Sequence, residues 1–145
     1  MSAFEIETIA AMNPSVAAEI AALVGQLSSS AKSPAMEALE AIVESPATIL
    51  FAARQSGQMI GMLTLVVFPI PTGKRALIED VMVDVRWRGQ GVAQALTRAA
   101  LACAEAAGVR TVDLTSRPSR EAANRLYQKL GFEKRDSNVY RYTPR

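Results

Sequence analysis

An apolar stretch, A-L-I-E-D-V-M-V at residues 76–83, leads through V-R-W-R-G-Q-G-V-A at 85–93 into an alanine-rich run, and T-V-D-L-T follows at 111–115. In the run, Val92, Leu96, Ala99, Ala100 and Cys103 recur at helical spacing, and Gly108 stops it. Strand, turn, helix and strand in that order predict a βαβ unit. Its two strands are parallel and joined by a right-handed crossover. Such a unit requires a sheet with at least one parallel pair and a helix on its face, which excludes all-helical and purely antiparallel folds.

The first half of the chain is built differently. F-E-I-E-T-I at 4–9 alternates as a strand does. Asn13-Pro14 reads as an N-cap followed by a first-turn proline, opening a helix to about residue 27 with Val16, Ile20, Leu23 and Leu27 on one face. Ser33-Pro34 repeats the signal before a second stripe of Met36, Leu39, Ile42 and Val43, ended at Ser45-Pro46. Residues 48–53 and 59–68 read as a hairpin about Q-S-G-Q, and Pro69, Pro71 and Gly73 break the chain into a loop before the strand at 76–85. After the βαβ unit, Ser119 is placed to cap a helix reaching Leu130, with Ala123, Leu126, Tyr127 and Leu130 on its buried side. Residues 132–136 and 139–143 complete the pattern as a final antiparallel pair. The predicted order is β-α-α-β-β-β-α-β-α-β-β, an α/β fold with a mixed central sheet flanked by helices. No repeat or linker divides residues 1–145, so a single domain is expected.

Composition narrows the chemistry. Half the residues are hydrophobic and the net charge is +2 with acids and bases interspersed, which points away from disorder and from general nucleic-acid binding. Histidine is absent, removing Ser-His and Cys-His catalysis and the commonest zinc ligand, so no metal is expected. The single cysteine, Cys103, allows no disulfide within the chain and reads as a small core residue. The first residues carry acids and no basic region before an apolar stretch, and no apolar run reaches membrane-spanning length. A soluble, cytoplasmic protein with no membrane partner is the expectation.

The glycine-rich turn is the strongest candidate site. A strand-to-helix junction presents unpaired N–H groups and a partial positive charge, which attract anions. Gly89 and Gly91 clear side chains from the approach, and Arg86 and Arg88 add charge. A Walker loop would need lysine and a hydroxyl, both missing here. A dinucleotide fingerprint would need a small residue where Gln94 stands.

R-W-R-G-Q-G does resemble the [RQ]-x-x-G-x-[GA] loop of the GNAT N-acetyltransferase superfamily. A-A-N-R-L-Y-Q-K-L-G-F at 122–132 is similar to that family's closing helix and strand, and L-I-E-D-V-M-V-D at 77–84 is similar to the strand before its loop. One departure is Arg120, where family members often carry asparagine; Asn124 is the nearest substitute. The resemblance implies a GNAT-type acyl-CoA N-acyltransferase fold and acetyl-CoA as cosubstrate. Its diphosphate would lie on the main chain of Arg88, Gly89, Gln90, Gly91, Val92 and Ala93, with Arg86 or Arg88 adding charge. Its pantetheine arm would run between diverging strands around Val81, Met82 and Val83 on one side and Leu114–Ser116 on the other, and Arg125 or Lys129 could meet its 3′-phosphate.

Acetyl transfer needs a neutral amine, a donor for the developing oxyanion and a proton for the departing sulfur. At the family's L-Y position, the resemblance implies Tyr127 as that acid. Its alternative is a core tyrosine. Glu79, or a water it holds, is the candidate base; its alternative is a rim carboxylate paired with Arg75 or Lys74. Alternation sends Glu79 and Asp80 to opposite faces. The N–H of Val81 or Met82 is the candidate oxyanion donor. The acceptor is expected near Met36, Phe68, Pro69, Ile70, Asn138 and Tyr140. The expected function is transfer of acetyl from acetyl-CoA to a primary amine of a small molecule by direct attack in a ternary complex. A non-catalytic CoA-binding module and a protein or peptide N-acetyltransferase are the alternatives. A homodimer is expected from sheet edges that need cover.

Overall fold

The computed structural model describes residues 3–28, 30 and 32–145. Asn13 caps the first helix, α1 (Pro14–Leu27), by accepting from the Val16 N–H at 2.9 Å. A strand, β1 (Glu5–Thr8), precedes it, and α2 (Met36–Glu44), β2 (Thr48–Gln55), β3 (Gln58–Ile70) and β4 (Gly73–Val83) follow. A 3₁₀ turn (Val85–Trp87) leads to α3 (Val92–Ala106), β5 (Thr111–Asp113) and α4 (Glu121–Lys129). The five strands lie side by side in sequence order. They are antiparallel up to β4, and β4 and β5 run parallel. The mixed sheet and the βαβ unit are thus as predicted. Residues Met1–Leu114 form one compact unit, holding the sheet and the first three helices; Thr115–Arg145 form a second, holding α4.

Two packed layers position the glycine turn. On one face of the sheet, Ile20 and Leu23 of α1 and Leu39 of α2 bury against Leu50, Ala52, Met59, Met62 and Met82. On the other, α3 lies close to the sheet at Gly61. A Cβ there would meet Val92 Cγ1 at 2.9 Å and Leu96 Cδ1 at 3.3 Å, so the first turn of α3 is seated where only glycine leaves room. Val92, Leu96, Thr97, Ala100 and Ala104 are buried, and Thr97 returns its hydroxyl to the Ala93 carbonyl at 2.7 Å.

The structure corrects several boundaries. α2 begins two residues after Pro34, with Ala35 at its N-cap position and no side-chain cap, so Ser33 does not cap it. Likewise Arg120, not Ser119, occupies the N-cap position of α4, again without a side-chain bond. The expected loop around Pro69 and Pro71 is a tight hairpin: Ile70 pairs with Gly73 and Pro69 with Lys74. Proline is tolerated there because the β2 ladder ends at Val66, so β3 has no neighbour to serve on that side. The two terminal strands expected at 132–136 and 139–143 are not formed. Residues 133–145 are all exposed, so a hairpin there would bury no apolar face, and a two-stranded ribbon without such a face is marginal in water.

Candidate active site

The β3–β4 ladder is interrupted at one place, just after Glu79. Met62 pairs with Met82 and Thr64 with Glu79, so Leu63 alone opposes Asp80 and Val81. That is a β-bulge, and Asp80 takes φ 48, a left-handed conformation that aspartate tolerates better than most residues. Both Glu79 and Asp80 are exposed, and Met82 returns to the core. Glu79 has no ion pair among the described residues; Lys74 donates instead to the Ala107 carbonyl at 2.9 Å. The rim pairing with Lys74 or Arg75 is therefore not formed. Val81 and Val83 are half-buried, and Met82 offers only its main chain.

The parallel ladder stops at Leu77 and Asp113. From residue 78 to Val83, β4 keeps β3 on one side and has no strand on the other among the described residues. An open strand edge exposes main-chain donors and acceptors that an extended ligand can pair with.

Past that edge the chain turns at Asp84. This carboxylate is buried and caps the 3₁₀ turn: it accepts from the Arg86 N–H at 2.9 Å and from the Arg86 guanidinium at 3.1 Å. Gln26, in the last turn of α1, donates to the same carboxylate at 3.4 Å and accepts from the Val85 N–H at 3.0 Å. The Arg86 guanidinium beside Asp84, helped by the Arg86 N–H, holds that carboxyl down at about 2 against the effect of burial. The charge of Arg86 is thus already matched within the protein. Arg88 is exposed and has no ion pair among the described residues, so it is the arginine whose charge a ligand would meet.

Gly89 and Gly91 take φ 75 and 84, and a Cβ on either would meet nothing within 4 Å. Their left-handed backbone, rather than crowding, is what calls for glycine. Open space lies in front of both. No N–H of residues 89–94 donates a well-formed hydrogen bond among the described residues. This set includes the first helical donors of α3, whose bonding starts with the Ala95 N–H on the Gly91 carbonyl at 3.0 Å. The Gln90 side chain folds back onto the Arg86 carbonyl at 3.1 Å and leaves the front of the turn clear. A run of unspent donors at a helix start, without side chains in the way, fits a diphosphate.

Tyr127 and Asn124 lie in the second unit, on α4. Tyr127 is buried and meets Phe132 edge to face with centroids 5.8 Å apart. Burial pushes its hydroxyl up, and the Arg120 charge pulls it partly back, so it remains protonated at neutral pH. Asn124 donates its side-chain amide to the Arg117 carbonyl at 2.9 Å, which ties down the turn before α4. Arg125 and Lys129 are exposed. In the first unit the structure brings together the open edge with Glu79, Val81, Met82 and Val83 and the turn with Arg86, Arg88, Gly89, Gln90, Gly91, Val92 and Ala93. Sequence reading missed Gln26 and Asp84. Asp84 followed by a short turn is a legible capping signal; Gln26 acts across 58 residues and leaves no local trace.

Comparison with known proteins bears on this arrangement. The family model described as "Acetyltransferase (GNAT) family" matches residues 20–132. N-acetyltransferase family 8 member 3 of Rattus norvegicus is 31% identical over 97 residues, covering 66% of this chain and 42% of that protein. The chain therefore spans less than half the length of that curated relative. Among solved structures, an aminoglycoside acetyltransferase from an uncultured soil metagenomic sample, in complex with trehalose, superposes with a TM-score of 0.86 at 20% identity, covering 98% of this chain and 96% of that one. An aminoglycoside N-acetyltransferase in complex with CoA superposes with a TM-score of 0.81 at 21% identity, covering 99% and 96%.

Proposed function

The chain belongs to the GNAT acetyltransferase family, and from that premise we propose that it moves the acetyl group of acetyl-CoA to a primary amine of a small-molecule acceptor by direct attack in a ternary complex. The observation that carries the reading is the set of unspent N–H donors at residues 89–94, in front of two glycines that leave the approach open. Residues 1–145 act as a single catalytic domain in this reading.

The main chain of Arg88, Gly89, Gln90, Gly91, Val92 and Ala93 binds the diphosphate, and Arg88 adds the free charge. The open edge at Val81, Met82 and Val83 pairs with the pantetheine amides. Acetyl-CoA supplies a thioester whose carbonyl carbon is open to a neutral amine. The N–H of Val81 or Met82, beside the bulge, meets the charge that develops on the carbonyl oxygen. Glu79, exposed and without an ion pair among the described residues, takes the amine proton directly or through a water. Tyr127 gives its proton to the departing sulfur, a role assigned from its place in the L-Y-Q-K-L-G-F motif and supported by a hydroxyl that stays protonated. The proton taken at the amine and the proton given to sulfur balance, and the products are an amide and free CoA thiol.

Aminoglycosides enter the acceptor panel because two of the similar structures are aminoglycoside acetyltransferases. Titration calorimetry with CoA, followed by thiol release across amino acids, polyamines, aminoglycosides and peptides, tests the function. Heat with CoA and thiol release with a small amine support it. Binding without release from any amine favours a CoA-binding module, release with peptides alone favours a peptide acetyltransferase, and no heat with CoA overturns the reading.

A further inference from the structure

The diphosphate turn is held from outside by a residue on a different element. Gln26 sits in the last turn of α1, yet its side-chain oxygen accepts the Val85 N–H at 3.0 Å and its amide donates to Asp84 at 3.4 Å. Those are the first two residues after β4. Asp84 in turn holds the Arg86 N–H and guanidinium, and the Asp84 carbonyl accepts the Trp87 N–H at 2.8 Å. Behind the turn, Trp87 meets Phe4 edge to face with centroids 6.5 Å apart. The segment from Asp84 to Trp87 is therefore tied at its main chain and its side chains. Immediately after it comes the stretch whose N–H groups have no acceptor among the described residues. Gly89 and Gly91 have no side chains of their own; Gln90, bonded to the Arg86 carbonyl at 3.1 Å, and the buried Val92 are the anchors within the stretch, and the segment that launches it sets the rest of its direction.

We propose that Gln26 is a positioning residue for the diphosphate-binding turn: by clamping Val85 and Asp84 it fixes the launch of the glycine stretch and so tunes affinity for CoA. The inference rests on the reading of that turn as a CoA site. Gln26 is itself exposed, and none of the core depends on its side chain. Its two bonds therefore serve the turn rather than the stability of the fold. They also tie α1, which with α2 covers one face of the sheet, to the turn at the end of β4.

Gln26→Met keeps the length of the side chain and removes both bonds. Gln26→Glu keeps an acceptor for the Val85 N–H and sets a carboxylate against Asp84. CoA titrations of wild type and both variants at a temperature well below every unfolding midpoint read affinity apart from stability. Gln26→Met weakens CoA binding by about tenfold, the order expected for losing one or two hydrogen bonds that pre-order a site. Gln26→Glu is at least as weak, through repulsion from Asp84. In thiol-release kinetics, KM for acetyl-CoA rises with kcat unchanged, whereas kcat/KM for S-acetyl-pantetheine, which has no diphosphate, stays at the wild-type value. Wild-type affinity in Gln26→Met, or equal loss with both thioesters, overturns the proposal. Absence of heat from CoA with the wild type instead overturns the functional reading on which it rests.

Discussion

β4 ends in two turns of opposite character. At its start, the hairpin at Gly73 is closed upon itself. The Arg110 N–H donates to the Lys74 carbonyl at 2.8 Å, the Arg110 guanidinium binds the Thr72 carbonyl, and Lys74 binds the Ala107 carbonyl. Lys74 and Arg110 are thus spent on main-chain oxygens. At its end, the turn through Gly89 and Gly91 leaves main-chain donors unspent, and Arg88 has no ion pair among the described residues. Glycines at positive φ mark both turns. The difference lies in what the neighbouring polar groups do. A structural turn consumes its donors and cations; a binding turn holds them in reserve for a ligand.

The comparison breaks most sharply at Gly89. A carboxylate brought there by Gly89→Glu enters the space a diphosphate would take and also strains a backbone at φ 75. CoA affinity falls by about 100-fold or more, because like charges brought together cost several kcal/mol. Calorimetry with CoA reads it, and unchanged affinity would move the diphosphate site elsewhere. Tyr127→Phe separates binding from chemistry. Turnover falls by about 100-fold, as loss of a general acid does, while CoA affinity holds. Full activity in thiol release removes Tyr127 as the acid.

Gly73→Ala tests the closed turn. Its φ is 127, and a Cβ would collide with Arg110 Cδ, so the arginine beside the Thr72 carbonyl must shift. Stability falls by about 1–3 kcal/mol in urea unfolding, the cost of a left-handed backbone outside glycine, and CoA affinity is untouched. Asp84→Asn costs roughly 1–2 kcal/mol above pH 4, with the exposure of Arg86 discounted. The folded carboxyl, at about 2, lies below its ordinary 3.8. Its contribution is therefore complete above 3.8 and fades as pH falls toward 2. Urea midpoints of variant and wild type should converge over that interval; a gap unchanged by acid would remove the charge as its source.

Much of this was readable from local signals. Asn13-Pro14, the Ser56-Gly57 hairpin and the glycine turn all act within a few residues, and the strand-helix-strand order at 76–115 dictated the parallel pair. The bulge leaves no signal that alternation reveals, because the extra residue at Asp80 is set by the register against Leu63. Pro69 reads as a break because a sequence does not say which strand edge lacks a neighbour. The terminal pair at 132–143 carries β-formers at Val139, Tyr140 and Tyr142 but no alternating face through 132–136 that a sheet could cover. The Gln26 clamp joins distant residues and follows from packing alone. Of the candidate site, the open turn was legible in its glycines, while the difference between Arg86 and Arg88 was not, since it depends on which arginine Asp84 captures.

That difference yields the smallest effect and the finest test of the contrast. Arg88 is exposed, so its attraction for a phosphate acts through solvent and is screened by salt. Arg88→Ala weakens CoA binding by about threefold at low ionic strength, the scale of an exposed ion pair, and the gap from wild type closes toward 0.5 M salt as the Debye length shrinks to roughly 4 Å. Arg110→Ala, at the closed end of β4, removes the same formal charge but one committed to the Thr72 carbonyl. It lowers stability and leaves both CoA affinity and its salt dependence at wild-type values. If the two substitutions alter the salt dependence alike, the positive charge of the whole molecule steers CoA, and the distinction between spent and reserved cations falls.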